Sequence, residues 1–176
     1  MLRYILIYGA ISGLVVGIPL SAMTLSMSGQ AMMHYGMLIG YLTMLIALSA
    51  VFLAIKRHRD VDLGGVIKFW PALALGLGIS VVAGVIYVIA WEVSCALAHA
   101  DFAGAYARAM IAEQQARGMS GAALERFRAE MEQFKLQYVN PLYRWPETFA
   151  EIFPVGVLVS LISAALLRNS RFMPAR

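Results

Sequence analysis

Two kinds of residue are scarce in this chain. Cysteine occurs once in 176 residues, at Cys95, which excludes an internal disulfide and a multi-cysteine metal site. Charged residues make up 14% of the chain and hydrophobic residues 61%, whereas soluble domains have about 25% and about 45–50% respectively. Because a core of this size cannot bury so large an apolar excess, the composition predicts an integral membrane protein rather than a soluble, disordered or disulfide-rich secreted one.

The longest stretch without charge runs from Tyr4 to Ile55 and is broken only by Ser28-Gly29-Gln30. It is long enough for two membrane spans, which we place at about 4–25 and 34–55. A cleaved signal peptide is the competing interpretation of the first run. We reject it because the run has 24 uncharged residues before Ser28, more than the usual core of about 7–15.

Two further spans are predicted at about 69–91 and 149–167. The third lies between Trp70 and Trp91, as interfacial aromatic residues do in membrane helices. The fourth is opened by Pro146, and its strictly uncharged part, residues 152–167, has 16 residues. That part is short for a hydrocarbon core of about 30 Å, so we expect Glu151 at the membrane edge.

The segment from Glu92 to Glu151 differs in composition, with 8 acids and 6 bases against 2 acids and 8 bases elsewhere. It contains two amphipathic patterns, separated by a turn at residues 118–121 and ended by Asn140-Pro141. We therefore predict an amphipathic helical hairpin over about 92–148. The apolar positions that define the two patterns are Phe102, Tyr106 and Met110 in the first, and Leu124, Phe127, Met131, Phe134 and Tyr138 in the second.

The distribution of basic residues predicts the orientation. The net charge is +4, and most bases outside the hairpin lie beside apolar runs, which indicates a topology signal rather than binding to nucleic acid. With both termini cytoplasmic and the hairpin extracytoplasmic, eight bases lie inside and none lies in the short loop at 25–33. The predicted fold is thus all-α, a single domain over 1–176 with four transmembrane helices and the hairpin between the third and fourth. The eight bases are Arg3, Lys56, Arg57, Arg59, Lys68, Arg168, Arg171 and Arg176.

Two motifs resemble a known family. One is Arg57-His58-Arg59-Asp60 with Gly64-Gly65 and Phe69, and the other is Asn140-Pro141 followed by Phe149–Gly156 and Ser160–Ala164. Together they resemble the bacterial membrane family catalogued as domain of unknown function 4199, over nearly the whole chain. His58 stands where members of that family often have an aromatic residue. The resemblance implies four spans in a bacterial inner membrane and brings no catalytic residues.

Small residues form the first candidate feature. Gly9, Gly13 and Gly17 lie on one face of the first span, and this spacing lets two helix backbones approach closely. We expect this ridge to pack against another span of the same chain, with a dimer interface as the alternative.

Charged residues form the other candidate features. Arg57, Arg59 and Asp60 are interpreted as a topological anchor with paired charges, or as a site for lipid headgroups or an acidic partner. Glu92 and Glu151 either mark where water begins or carry protons or cations at the membrane edge.

From these features we expect a non-enzymatic interaction or accessory protein. Its partners would be membrane lipids and a second copy or a membrane complex, with no nucleic acid and no cofactor. The alternative is a small oligomeric proton- or cation-coupled transporter that uses Glu92 and Glu151. A membrane-embedded enzyme is the least supported interpretation, because no catalytic residue set or metal-ligand spacing is identifiable.

Overall fold

The computed structural model describes residues 1–26, 29–98 and 101–174. These residues form six α-helices and no strand. A single π-helical turn, His58–Asp62, follows the second helix. The helices are α1 Leu2–Ser26, α2 Gly29–Arg57, α3 Phe69–Ala98, α4 Phe102–Ala116, α5 Gly121–Tyr138 and α6 Pro141–Leu167.

Four helical segments are long and apolar enough to cross a membrane, and they correspond to the four predicted spans. The described part of the chain is thus all-helical, with four helices that have the length and composition of membrane spans. The spanning segments are Leu2–Leu25, Leu38–Asp62, Phe69–Leu97 and Pro141–Leu167.

The fourth span begins earlier than the sequence indicates. The helix α6 starts at Pro141 rather than near 149, and Pro146 lies inside it instead of opening it. The side chain of Asn140 accepts a hydrogen bond of 3.0 Å from the backbone N–H of Leu142, so Asn140 caps the helix. Pro141 suits the first helical position because its missing N–H would have no partner there. Polar residues before Phe149 had obscured this start.

The third span also continues past its predicted end. Trp91 and Glu92 lie inside α3, which extends to Ala98. Glu92 does not end the helix, because glutamate is a good helix former, and its carboxylate is paired with Arg144. A charged side chain that forms an ion pair with a neighbouring helix can lie within a long apolar helix.

The helix α3 lies between α1 and α6 and is the most buried of the four spans. Its contact with α6 is made by small side chains, since a Cβ added at Gly76 would lie 2.8 Å from Ser160 Cβ and one at Gly156 would lie 2.6 Å from Ser80 Cβ. Such close approach gains van der Waals contact where lipid offers no hydrophobic drive. The hydroxyls of Ser80 and Ser160 lie 3.4 Å apart in this contact.

The helices α4 and α5 pack against each other, and their contact uses the predicted apolar positions. The ring of Tyr106 lies 5.5 Å from that of Phe134, and the ring of Phe102 lies 5.8 Å from that of Tyr138. Leu124 is buried in the same contact. The two helices thus form a unit of their own beside the spans.

The connection from α2 to α3 is a tight turn. Gly64 and Gly65 have φ angles of +65° and +90°, which side chains other than glycine rarely adopt. The turn lets the chain reverse direction within a few residues and brings the π-helical turn beside the end of α6.

Candidate functional site

The side chain of Arg59 is fully buried at one end of the helical bundle. Its Nη1 donates to the backbone carbonyls of Leu167 (3.4 Å) and Phe172 (3.0 Å), and its Nη2 donates to that of Met173 (2.5 Å). The last carbonyls of a helix have no partner within the helix. Arg59 therefore caps α6 and holds the segment after it against the π-helical turn.

The acids around Arg59 are engaged as well. Asp60 accepts hydrogen bonds from Arg59 Nε at 2.6 Å and from Lys56 Nζ at 2.5 Å. Asp62 lies 2.8 Å from His58 Nδ1. Of the three residues singled out in this loop, Arg59 and Asp60 thus form an internal cluster, whereas Arg57 is exposed. We call this end of the bundle the basic end.

At the opposite end, Glu92 of α3 and Arg144 of α6 form a two-point ion pair. Nε and Nη2 of Arg144 donate to the two carboxylate oxygens of Glu92 at 2.6 and 2.5 Å. Nη1 of Arg144 donates to the carbonyl of Tyr138, at the end of α5, at 3.1 Å. The single guanidinium therefore joins α3, α5 and α6, and its planar shape suits this bidentate arrangement.

Aromatic residues extend this junction to α4. Nε1 of Trp91 donates to the hydroxyl of Tyr138 at 2.9 Å, and the ring of Trp91 lies edge-on to that of Phe102 at 4.7 Å. Burial raises the pKa of the Tyr138 hydroxyl, so this group stays protonated. The α4–α5 unit is thus attached to the spans through hydrogen bonds and ring contacts together.

Glu151 has a partner different from that of Glu92. The hydroxyl of Tyr87 on α3 donates to Glu151 Oε2 at 3.1 Å. Sixteen residues separate Glu151 from Leu167, about 24 Å of helix at 1.5 Å per residue. The structure does not join the two glutamates in one cluster.

The glycine ridge of α1 faces α3. A Cβ added at Gly9 or Gly13 would lie 2.6 Å from Val82 Cβ or Ile86 Cβ, and one added at Gly17 would lie 2.9 Å from Ala90 Cβ. All three glycines are buried. The ridge is therefore occupied within the chain, as expected, and is not free to form a dimer interface.

An apolar groove of about 600 Å³ opens between α3 and the first turns of α6. Eight of the nine residues along it are apolar, and the exception, Glu92, lies at the end where Arg144 binds it. The apolar lining residues are Val85, Val88, Ile89, Val93, Leu142, Trp145, Pro146 and Phe149.

Sequence reasoning did not identify Arg144, Tyr87 or Tyr138 as partners. Arg144 was counted only as one base of the hairpin, and 52 residues separate it from Glu92. One sequence feature could have pointed to Arg144, namely that it is a basic residue beside Trp145 at the start of an apolar helix. The predicted topology also puts His34 and His99 at the same membrane edge as Glu92 and Glu151, but His99 and the side chain of His34 lie outside the described residues.

The comparisons with known proteins give one match. No curated protein and no solved structure matches the chain. Among the residues that the structure describes, no group of three or more His, Cys, Asp or Glu side chains could hold a metal ion. The profile of the family described as "Protein of unknown function (DUF4199)" matches residues 5–169, a region that contains all of the four spans except the first three residues of α1. The chain belongs to this family of unknown function.

Proposed function

We propose that the chain is a multi-pass protein of a bacterial inner membrane, with both termini cytoplasmic and the α4–α5 unit extracytoplasmic. The distribution of charge supports this orientation. The basic end carries most of the bases outside residues 92–151 and only two acids, and cytoplasmic ends of spans are enriched in Lys and Arg.

We propose further that the protein acts by association with another membrane protein and not by catalysis. The observation that carries this proposal is the apolar groove between α3 and α6. Its lining is almost entirely apolar, and its one ionisable residue, Glu92, is already bound by Arg144. Such a groove offers packing surface for a transmembrane helix but no free acid, base or nucleophile.

The partner helix belongs either to a second copy of this chain or to another subunit of a membrane complex. The glycine ridge of α1 contributes to neither arrangement, because Val82 and Ile86 of the same chain fill it. The groove lies instead on the outward side of α3, where Ile89 is 56% exposed.

The test is photo-crosslinking in native membranes, with the crosslinking residue placed at Ile89 in the groove. The matched control is the same residue at Ile46, an isoleucine of α2 that is 65% exposed and lies outside the groove. We expect a discrete protein adduct from position 89 and none from position 46. Lipid adducts alone from position 89, or identical protein adducts from both positions, would contradict the proposal.

A second candidate function is a proton- or cation-coupled carrier, favoured by one observation. Tyr87 donates a hydrogen bond to the carboxylate of Glu151. We place Glu151 near one membrane surface, because Leu167 lies about 24 Å away along α6 and a hydrocarbon core is about 30 Å thick. Acids in such positions can carry protons. Glu92 is a weaker candidate for this role, because Arg144 neutralises it. With four spans, a solute pathway would require more than one chain.

The carrier hypothesis is tested with Glu151→Gln in proteoliposomes under a proton gradient. The control is Glu147→Gln, one turn away on the same face of α6 and likewise exposed, whereas the Tyr87 hydroxyl binds Glu151. A carrier would lose coupled proton movement in the Glu151 variant and keep it in the control. Equal proton flux in both variants and in empty vesicles would eliminate this candidate.

A further inference from the structure

The basic end of the bundle carries exposed cations that are not neutralised. They come from the start of α1, the end of α2, the segment before α3 and the segment after α6. None of them has an ion-pair partner among the residues that the structure describes. These exposed residues are Arg3, Arg57, Lys68, Arg168 and Arg171.

The acids at this end are already used within the chain. All acids other than Asp60 and Asp62 lie between Glu92 and Glu151. Asp60 is bound by Lys56 and Arg59, and Asp62 is bound by His58. The exposed cations therefore present an uncompensated positive surface, which attracts anions from outside the chain.

Apolar side chains project beside these cations. Val61, Leu63, Val66 and Trp70, in the connection from α2 to α3 and the first turn of α3, are between 44% and 74% exposed. A bilayer surface accepts both kinds of group, since apolar side chains enter the acyl boundary while basic ones contact headgroups. A free phosphate ion or an acidic protein segment would give these apolar side chains no comparable partner.

We infer that the basic end is a binding surface for anionic phospholipids of the adjacent leaflet. The five exposed cations bind the headgroup phosphates, and the apolar side chains of the α2–α3 connection enter the acyl boundary beside them. Arg59 takes no part, because it is buried and bound to carbonyls. The inference does not depend on the groove or on what fills it.

The test is native mass spectrometry of the full chain, released from detergent with an equimolar mixture of phosphatidylglycerol and phosphatidylcholine. The wild-type protein retains phosphatidylglycerol in preference. In the variant Arg57→Gln/Lys68→Gln/Arg171→Gln, the apparent affinity for phosphatidylglycerol falls by about fivefold for each cation removed, the effect of one basic side chain at an anionic surface. Retention of phosphatidylcholine stays unchanged.

The control variant is Arg108→Gln/Arg117→Gln/Arg126→Gln, which removes three exposed arginines of the α4–α5 unit and changes phosphatidylglycerol retention less than twofold. The three single variants of the basic end give the same direction with smaller effects, so the outcome does not depend on one protein preparation. Equal retention of both lipids by the wild type, an equal loss in both triple variants, or displacement of phosphatidylglycerol by equimolar inorganic phosphate would overturn the inference.

Discussion

An arginine holds each end of α6, but the two contacts are built differently. Arg59 reaches α6 from the π-helical turn, is fully buried and binds three backbone carbonyls. Arg144 belongs to α6 itself, has a side chain that is 17% exposed and binds a carboxylate of α3. The first arrangement satisfies the last carbonyl of α6 and two carbonyls of the segment after it. The second joins three helices through one charge pair.

Arg59 and Arg144 use their charges in two different ways. A buried cation that binds carbonyls stabilises one local conformation of the chain. A partly exposed pair between helices instead fixes how a peripheral unit, here α4 and α5, sits against the spans. Replacements at the two ends of α6 should therefore differ in how much they lower the free energy of unfolding and in which region of the chain they affect.

The largest effect is expected for Arg59→Met. The variant leaves the carbonyls of Leu167, Phe172 and Met173 without their donor and removes one partner of the partly buried Asp60. We expect a loss of about 3–5 kcal/mol in the free energy of unfolding, the usual cost of breaking a buried charge arrangement. The measurement is unfolding by sodium dodecyl sulfate in mixed micelles.

Arg57→Met is the matched control for that variant. Arg57 lies two residues away, is exposed and has no ion-pair partner in the described part of the chain, so its replacement should change the stability by less than about 0.5 kcal/mol. Equal losses of unfolding free energy in the two variants would show that the buried contacts of Arg59 do not stabilise the protein.

A variant in the middle of α6, where no charged side chain is involved, gives a stability change with which the charge variants can be compared. Gly156→Ala places a Cβ 2.6 Å from Ser80 Cβ, which forces α3 and α6 apart and should cost about 1–3 kcal/mol. Gly40→Ala is the control, since a Cβ there meets nothing within 4 Å and alanine favours the helix. The same unfolding measurement applies, and a stable Gly156 variant would argue against the close contact between α3 and α6.

A smaller and more local effect is expected at the other end of α6. Glu92→Gln weakens the bidentate contact with Arg144 and should cost about 1–2 kcal/mol, because the pair is partly exposed. The amide hydrogens of α4 and α5 should exchange faster, while those of the segment after α6 keep their protection. Faster exchange at residues 168–173 as well would mean that the two ends are not independent.

The smallest effect is expected for Arg128→Ala, which removes an exposed pair with Glu125 on α5. Exposed pairs contribute less than about 0.5 kcal/mol. Double-mutant cycles for Glu92–Arg144 and for Glu125–Arg128 measure the two contributions on the same scale. If the coupling energy of the exposed pair were as large as that of Glu92–Arg144, the claim that Glu92–Arg144 contributes more than a surface ion pair would be wrong.

The sequence predicted the four apolar helices because long uncharged runs and tryptophan positions depend on local composition alone. The apolar positions of α4 and α5 were equally readable, since their spacing of three and four residues is local. The start of α6 was not, because polar residues in its first turns do not differ from those of a loop. Only the cap at Asn140 and its hydrogen bond to Leu142 reveal it.

The contacts of the candidate residues were harder to predict. Arg59 and Arg57 look alike in the sequence, and only the path of the segment after α6 decides that one is buried and the other exposed. Glu92 was recognised as a candidate without its partner, because Arg144 lies 52 positions further along the chain, beyond all of α4 and α5. Long-range pairs of this kind depend on how helices assemble and not on local pattern.

The central proposal is that the chain associates with another membrane protein through the groove between α3 and α6. The most direct test is the mass of the assembly released from its own membranes, for the wild type and for Ile89→Trp. We expect a wild-type mass above the 19.2 kDa of one chain by at least one further polypeptide, and a return to one chain in the variant. A wild-type mass of one chain with bound lipid only would contradict it.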